Sequence, residues 1–294
     1  MIIDVHAHFE PRMLNTAALI AKMDESGIDR IALIPTMNDP LPHTPDRLLA
    51  VVRGLCRCAV GRVVAEGIHR AVFSPERGLR LGGQQFEIYA QPDNASVADL
   101  VARYPERFLG WIFLNPRAPG DPRDQLEQWR CRPGMIGVKL HPHWHDYDVR
   151  VLEPLLTRIE ELRLPVLIHL GFRARGDYRW LSERFPRVPF ICAHAGTPFY
   201  ARLWRYALTR PNLYVDLSSP YVDRHIVRAA VAVLGPERTI YGTDSPYGFR
   251  RDDESYDYLH VKRWIAALPV AEEARQRIFG GTFSRILSNA QAMV

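Results

Sequence analysis

The first eight residues, Met1 to His8, read M-I-I-D-V-H-A-H and set two histidines two positions apart. Side chains of an extended strand alternate faces with period 2, so this spacing predicts Asp4, His6 and His8 on one face at the strand's C-terminal end. Two imidazoles on one face suit a first-row metal site, although an H-x-H is also ordinary turn chemistry. The remaining chemistry-bearing residues close other apolar runs. Lys139 and His141 end G-V-K-L-H, His169 ends V-L-I-H, His194 lies in I-C-A-H-A-G-T and Asp244 in I-Y-G-T-D-S-P. Of the eleven histidines, those at positions 6, 8, 141, 143, 145, 169 and 194 lie at or just beyond such ends. Burying polar groups without partners costs about 1–3 kcal/mol each. One divalent cation satisfies several imidazoles and a carboxylate together. Nitrogen and carboxylate donors suit Zn2+ and tolerate Mn2+, Fe2+ or Co2+.

The elements that must bring these residues together are short β-branched or apolar runs separated by amphipathic stretches, the pattern of βα units around a parallel sheet. The runs are Ile2–His8, Arg30–Thr36, Phe108–Asn115, Ile136–His141, Pro165–Leu170, Pro189–His194, Asn212–Leu217 and Thr239–Asp244. Eight such units predict an α/β fold of the (β/α)8 TIM-barrel type, in which all strand ends open on one mouth. Val149, Leu152, Leu156, Ile159 and Leu162 recur at helical spacing, as do Val222, Ile226, Ala230, Val233 and Leu234. Leu14 to Gly27 reads as the first helix, with Gly27 as its stop. The stretch from Met37 to Arg107 is longer than a plain unit requires. It holds helical pattern near Asp46–Glu66, a turn at Gly82–Gly83 and a helix ending at Asp99–Tyr104. We expect one domain over residues 1–294, with this insertion between strands 2 and 3 acting as a lid or a subunit contact.

Composition narrows the function classes. The net charge is +5, but basic residues are interleaved with 33 acidic ones and form no block, which argues against nucleic acid. No apolar run approaches the ~20 residues that span a bilayer, and no leader pattern precedes the first strand, so no membrane partner and a cytoplasmic location are expected. Cys56, Cys58, Cys131 and Cys192 lack the spacing of a zinc ribbon or disulfide framework and read as reduced thiols.

The ordered motifs D-V-H-A-H, G-V-K-L-H-P, I-H-L-G, A-H-A-G and Y-G-T-D-S-P resemble the amidohydrolase superfamily. The likeness is greatest to the amidohydrolase-related branch that includes aminocarboxymuconate semialdehyde decarboxylase. It extends to G-G-T-F-S-R-I-L near Leu287. The resemblance implies one divalent ion held by His6, His8, His169 and Asp244. It also implies that His194 hydrogen-bonds water or substrate, that Asp244 doubles as proton shuttle, and that the protein is a homodimer. In binuclear relatives a lysine at the place of Lys139 is carboxylated and bridges two metals; substrate contact and a structural role are the alternatives here.

The leading functional expectation is metal-dependent hydrolysis of an amide, ester or lactone of a small carboxylated molecule. Metal-dependent non-oxidative decarboxylation is the alternative, and a non-catalytic metal-binding scaffold the least favoured. Lys139, His141, His143, Arg173, Tyr247 and Arg250 sit at or beyond strand ends and predict an electropositive mouth that receives an anionic small molecule.

Overall fold

The computed structural model describes residues 1–74, 78–251, 253 and 255–291. Its strands are β1 (Ile3–Phe9), β2 (Arg30–Pro35), β3 (Phe73–Ser74), β4 (Gly78–Leu81), β5 (Gln84–Phe86), β6 (Phe108–Phe113), β7 (Met135–Leu140), β8 (Val166–Ile168), β9 (Phe190–Cys192), β10 (Leu213–Asp216) and β11 (Thr239–Ile240). The helices up to the fifth barrel unit are α1 (Thr16–Ser26), α2 (Asp46–Cys56), α3 (Ala59–Val72), α4 (Asn94–Arg103), α5 (Pro122–Arg130), α6 (Glu153–Glu161) and α7 (Tyr178–Arg184). A single turn, α8 (Ala193–Gly196), precedes α9 (Ala201–Ala207), α10 (Arg224–Leu234), α11 (Leu259–Ala266), α12 (Glu272–Gln276) and α13 (Thr282–Gln291).

Eight parallel strands run in the order β1-β2-β6-β7-β8-β9-β10-β11. The edge beyond β11 returns to β1, where Val5 N–H donates to Tyr241 O at 3.2 Å and Ala7 bridges Ser245. This is the TIM barrel expected from the eight runs. Ile3, Val5, Trp111, Phe113, Leu167 and Ile240 fill the lower barrel, and Phe283 and Ile286 of α13 seal it from below. Leu19, Met23, Val97, Leu156 and Ile226 belong to the layer between strands and helices. Gly27 caps α1 with φ 59°, a left-handed conformation that suits glycine.

The structure differs from the sequence reading in local ways. The run Asp46–Glu66 is two helices, because Cys58 is extended and its Sγ accepts from Gly61 N–H to start α3. On α10, Val233 is 39% exposed, while Val227 and Val231 take the buried stripe. The strands ending near His169, His194 and Asp244 stop short of those residues: His194 lies in α8, and His169 and Asp244 follow their strands outside any helix or strand. Asp4 does not share a face with His6 and His8. The β1–β2 register shifts between Asp4 and Ala7, so Ile3 and Val5 face the lower interior while Ala7 and Phe9 face the outer layer. A bulge of this kind reverses the alternation. It leaves Asp4 accepting from Thr243 N–H at 3.0 Å and from its hydroxyl.

Candidate metal and substrate site

The bulge turns His6 and His8 into the mouth. His6 Nδ1 meets Asp216 Oδ2 at 2.9 Å, and His6 Nε2 lies 3.2 Å from Asp244 Oδ1. His8 Nε2 reaches the same Asp244 oxygen at 3.2 Å. Gly242 makes the close approach possible, since a Cβ there would stand 3.0 Å from His6 Cβ. His194 and Asp244 both hold φ in the left-handed region, 53° and 59°, which non-glycine residues adopt only where surrounding contacts enforce it. For His194 these are Asp216 Oδ1, which accepts its N–H at 3.0 Å, and Ser218 Oγ, 2.9 Å from Nδ1. Asp216 also accepts from Ser218 N–H at 2.9 Å.

Electrostatics follow from this burial. Asp244 is held well below the usual carboxylate range: burial alone would raise it, but the charges of His194 and His6 and hydrogen bonds from His6 and His8 prevail. Asp216 is lowered in the same way, against burial, by His6 above all. His6 is pushed up, because Asp216 and Asp244 outweigh burial and Lys139. Burial drives His194 down to about 4 and His169 and His141 well below the ordinary imidazole value. Lys139 is fully buried, its Nζ has no hydrogen-bond partner among the described residues, and burial lowers it to about 8.

His6, His194 and Asp244 offer ligand atoms that all lie within 4.8 Å of one another. With His6 Nδ1 donating to Asp216, its Nε2 lone pair faces the Asp244 carboxylate unless a cation or a proton lies between them. A buried imidazole fixed by an outer carboxylate is the usual support of a metal ligand, and the donor set fits a divalent first-row ion. The grouping differs from the set implied by resemblance: His194 joins the tight trio, His8 shares only the Asp244 oxygen, and His169 stands beside His194 with ring centroids 4.8 Å apart. Lys139, His141, Tyr247 and Arg250 line the trio's cavity. His143 instead stacks on His69 and His169 and faces a neighbouring cavity. Arg173 points away, its side chain 67% exposed and its Nε 2.7 Å from Glu66. Asp216 was missed by sequence reasoning; its signal is a carboxylate at the end of N-L-Y-V-D, the same position on its run that flagged Asp244.

The family model for amidohydrolases matches residues 3–287. The chain belongs to the amidohydrolase family. Within this family it is 23% identical to 2-keto-4-carboxy-3-hexenedioate hydratase of Sphingobium sp. strain SYK-6, over 99% of this chain and 97% of the relative. It resembles the structure of 2,6-dihydroxybenzoate decarboxylase from Rhizobium with a TM-score of 0.63 and 16% identity, covering 98% of each chain. A dihydroxybenzoic acid decarboxylase from Polaromonas sp., solved with bound manganese and the inhibitor 2-nitroresorcinol, matches with a TM-score of 0.59 and 16% identity over 98% of this chain and 96% of that one. The family and the trio fit a metal-dependent enzyme.

Proposed function

We propose that this amidohydrolase-family protein is a metal-dependent enzyme that removes carbon dioxide from a small aromatic or unsaturated carboxylic acid. The observation that carries this reading is Lys139, a buried ammonium with no hydrogen-bond partner among the described residues, in the cavity of the His6–His194–Asp244 trio. An unpaired buried cation is costly, and a carboxylate of the substrate would satisfy it. His6, His194 and Asp244 would hold the ion, with Asp216 fixing His6 and with His8 and His169 adjacent. Zn2+ and Mn2+ both suit this donor set. A divalent cation there supplies Lewis acidity toward a substrate oxygen.

In this reading His141 and Arg250 help seat the anion. Asp244, ionised at rest, relays to the substrate carbon a proton taken up from solvent as the carbon–carbon bond breaks and carbon dioxide leaves, and so returns to its carboxylate form. The named decarboxylases support this reaction. Hydration of a double bond is the second reading, favoured by the hydratase that aligns over 97% of its length. Hydrolysis, the leading expectation of the motifs, draws support from the trio but from none of the relatives named above. The proposal also takes the enzyme to be cytoplasmic and homodimeric. In support, no helix among the described residues is long and apolar enough to cross a membrane, and exposed Val60, Val63 and Val64 offer a second copy an apolar face on α3.

The test is a panel of dihydroxybenzoates, other aromatic acids and unsaturated di- and tricarboxylates, given to Mn2+- or Zn2+-loaded protein, with trapped carbon dioxide as the readout. Release that needs the metal and is lost in Asp244→Asn is expected. Turnover of a lactone or amide with no carbon dioxide from any acid would overturn the reading.

A further inference from the structure

Beside the trio's cavity lies a second one of about 230 Å³. The two share Leu41, Thr44, Trp144, His169 and Tyr221 as lining, so they are chambers set against the same side chains. Their chemistry is opposite. The first presents Lys139, Asp244 and Arg250, whereas no carboxylate, ammonium or guanidinium lines the second among the described residues. Its outer wall is Leu48 and Val52 of α2, Ile68 and Val72 of α3, and Leu79 and Leu81 of β4. Its inner wall includes His69 and His143, stacked at a centroid distance of 4.1 Å, and Phe172. Burial lowers His69 to about 4, so this ring is neutral at pH 7.

The outer wall is anchored. Glu66, buried on α3, takes Arg173 Nε at 2.7 Å and Arg175 Nη2 at 3.2 Å from the loop after β8. Arg53 of α2 donates to Pro220 O at 3.1 Å in the loop after β10. These contacts tie α2 and α3 to two loops of the mouth and hold the apolar wall against the charged chamber. Leu48 and Ile68 are nevertheless 49% and 45% exposed, apolar surface that a ligand entering the chamber would cover.

We infer that the substrate of this site is amphipathic: a carboxylate end seated in the charged chamber and an uncharged alkyl or aryl arm lodged between α2, α3 and β4. This rests on the anionic-substrate reading above and adds the apolar arm. Chambers that share five lining residues lie close enough for one molecule to reach both. The absence of charge from the second chamber, among the described residues, excludes a second ionised group on that arm, since an unpaired charge placed there would be expelled.

The test uses Mn2+-loaded full-length protein titrated calorimetrically with straight-chain alkanoates from propanoate to octanoate, and with n-octanol. Affinity is expected to rise by about fourfold per methylene until the chamber is filled, the factor that corresponds to burying one CH2. In Val72→Asp, and independently in the filling variant Val52→Trp, octanoate should bind no better than propanoate; unfolding curves confirm that each variant is folded. Propanoate binding with a flat series in the native protein would overturn the apolar arm and leave the anion site standing. Octanol binding as tightly as octanoate would instead overturn the carboxylate end and leave the chamber assignment intact. A flat series together with a dimer that Val72→Asp dissociates would assign the wall to a subunit contact and end the proposal.

Discussion

The two ends of the barrel interior are built from the same strands and obey opposite rules. At the bottom Val5, Trp111, Ile240 and Phe283 form an apolar plug, with the Trp111 indole N–H donating to Val5 O at 2.9 Å. At the mouth His6, His8, Lys139, His169, His194, Asp216 and Asp244 are all buried too, yet Lys139 Nζ and His8 Nδ1 lack hydrogen-bond partners among the described residues. Burial stabilises the first set and costs free energy in the second. Val5 and His6 are chain neighbours on either side of this divide, and the bulge in β1 lets one strand serve both. Stability and chemistry are thus assigned to separate layers, and substitutions in one layer should leave the other's property nearly intact.

The largest expected effect is at the mouth. Asp244→Asn removes the carboxylate that receives His6 and His8, and turnover of any substrate found should fall by about 10² to 10⁴, the usual worth of a positioned acid or base. Chemical unfolding of the same variant should show a smaller loss of stability than a core vacancy, because the interactions that lower Asp244 are lost but no packing contact is. The counterpart at the bottom is Trp111→Ala, which empties a fully buried site against Phe283. It should lower unfolding free energy by about 3–5 kcal/mol, while metal content per folded chain stays unchanged. If Trp111→Ala emptied the metal site in folded protein, or Asp244→Asn unfolded the chain, the separation of layers would be wrong.

A sharper version targets Asp216, which is hydrogen-bonded to His6, His194 and Ser218. Asp216→Asn keeps its size but weakens the hold on His6 Nδ1. Metal affinity should drop about 10- to 100-fold, the typical cost of losing such an outer partner, as read by competition with a chelator. An affinity equal to that of the native protein would show that His6 needs no orientation.

How much of this was legible beforehand follows the same division. The barrel could be read because eight apolar runs are a local signal, and the mouth residues because they end those runs. Asp4 was misplaced because period-2 counting assumes an unbroken strand, and nothing in I-I-D-V-H-A-H announces a bulge. Asp216 was overlooked because a single carboxylate after N-L-Y-V gains meaning only when β10 lies beside β1's histidines, a contact between residues 210 positions apart. The apolar chamber was illegible for a similar reason: Leu48, Ile68 and Leu79 come from three elements, and their joint wall depends on Glu66 reaching Arg173 and Arg175. Arg173 itself was read as a substrate contact from its place after the fifth strand. Only the fold shows its guanidinium engaged outside the cavity.

The smallest effect expected concerns Lys139, where the two layers meet in one residue. Its ammonium is buried, and burial lowers it to about 8 against the favourable charges of Asp216 and Asp244. Below that pH the charge is available to an anionic substrate, and above it the charge is lost. KM for a carboxylate substrate should therefore rise about tenfold between pH 7 and pH 9, following the protonated fraction of a group titrating near 8. Stability should move the other way. A lysine whose folded value lies below its unfolded value of about 10.4 binds fewer protons in the folded state, so from about pH 8 to 10.4 the unfolded chain holds the extra proton and unfolding free energy rises with pH. Lys139→Met removes both trends, giving a high KM that no longer changes with pH between 7 and 9 and losing this group's stabilising slope. Opposite signs in the native protein, both absent from the variant, would locate in this one side chain the cost that the mouth bears for holding a charge. A KM that stays level from pH 7 to pH 9 in the native protein would remove Lys139 from substrate binding.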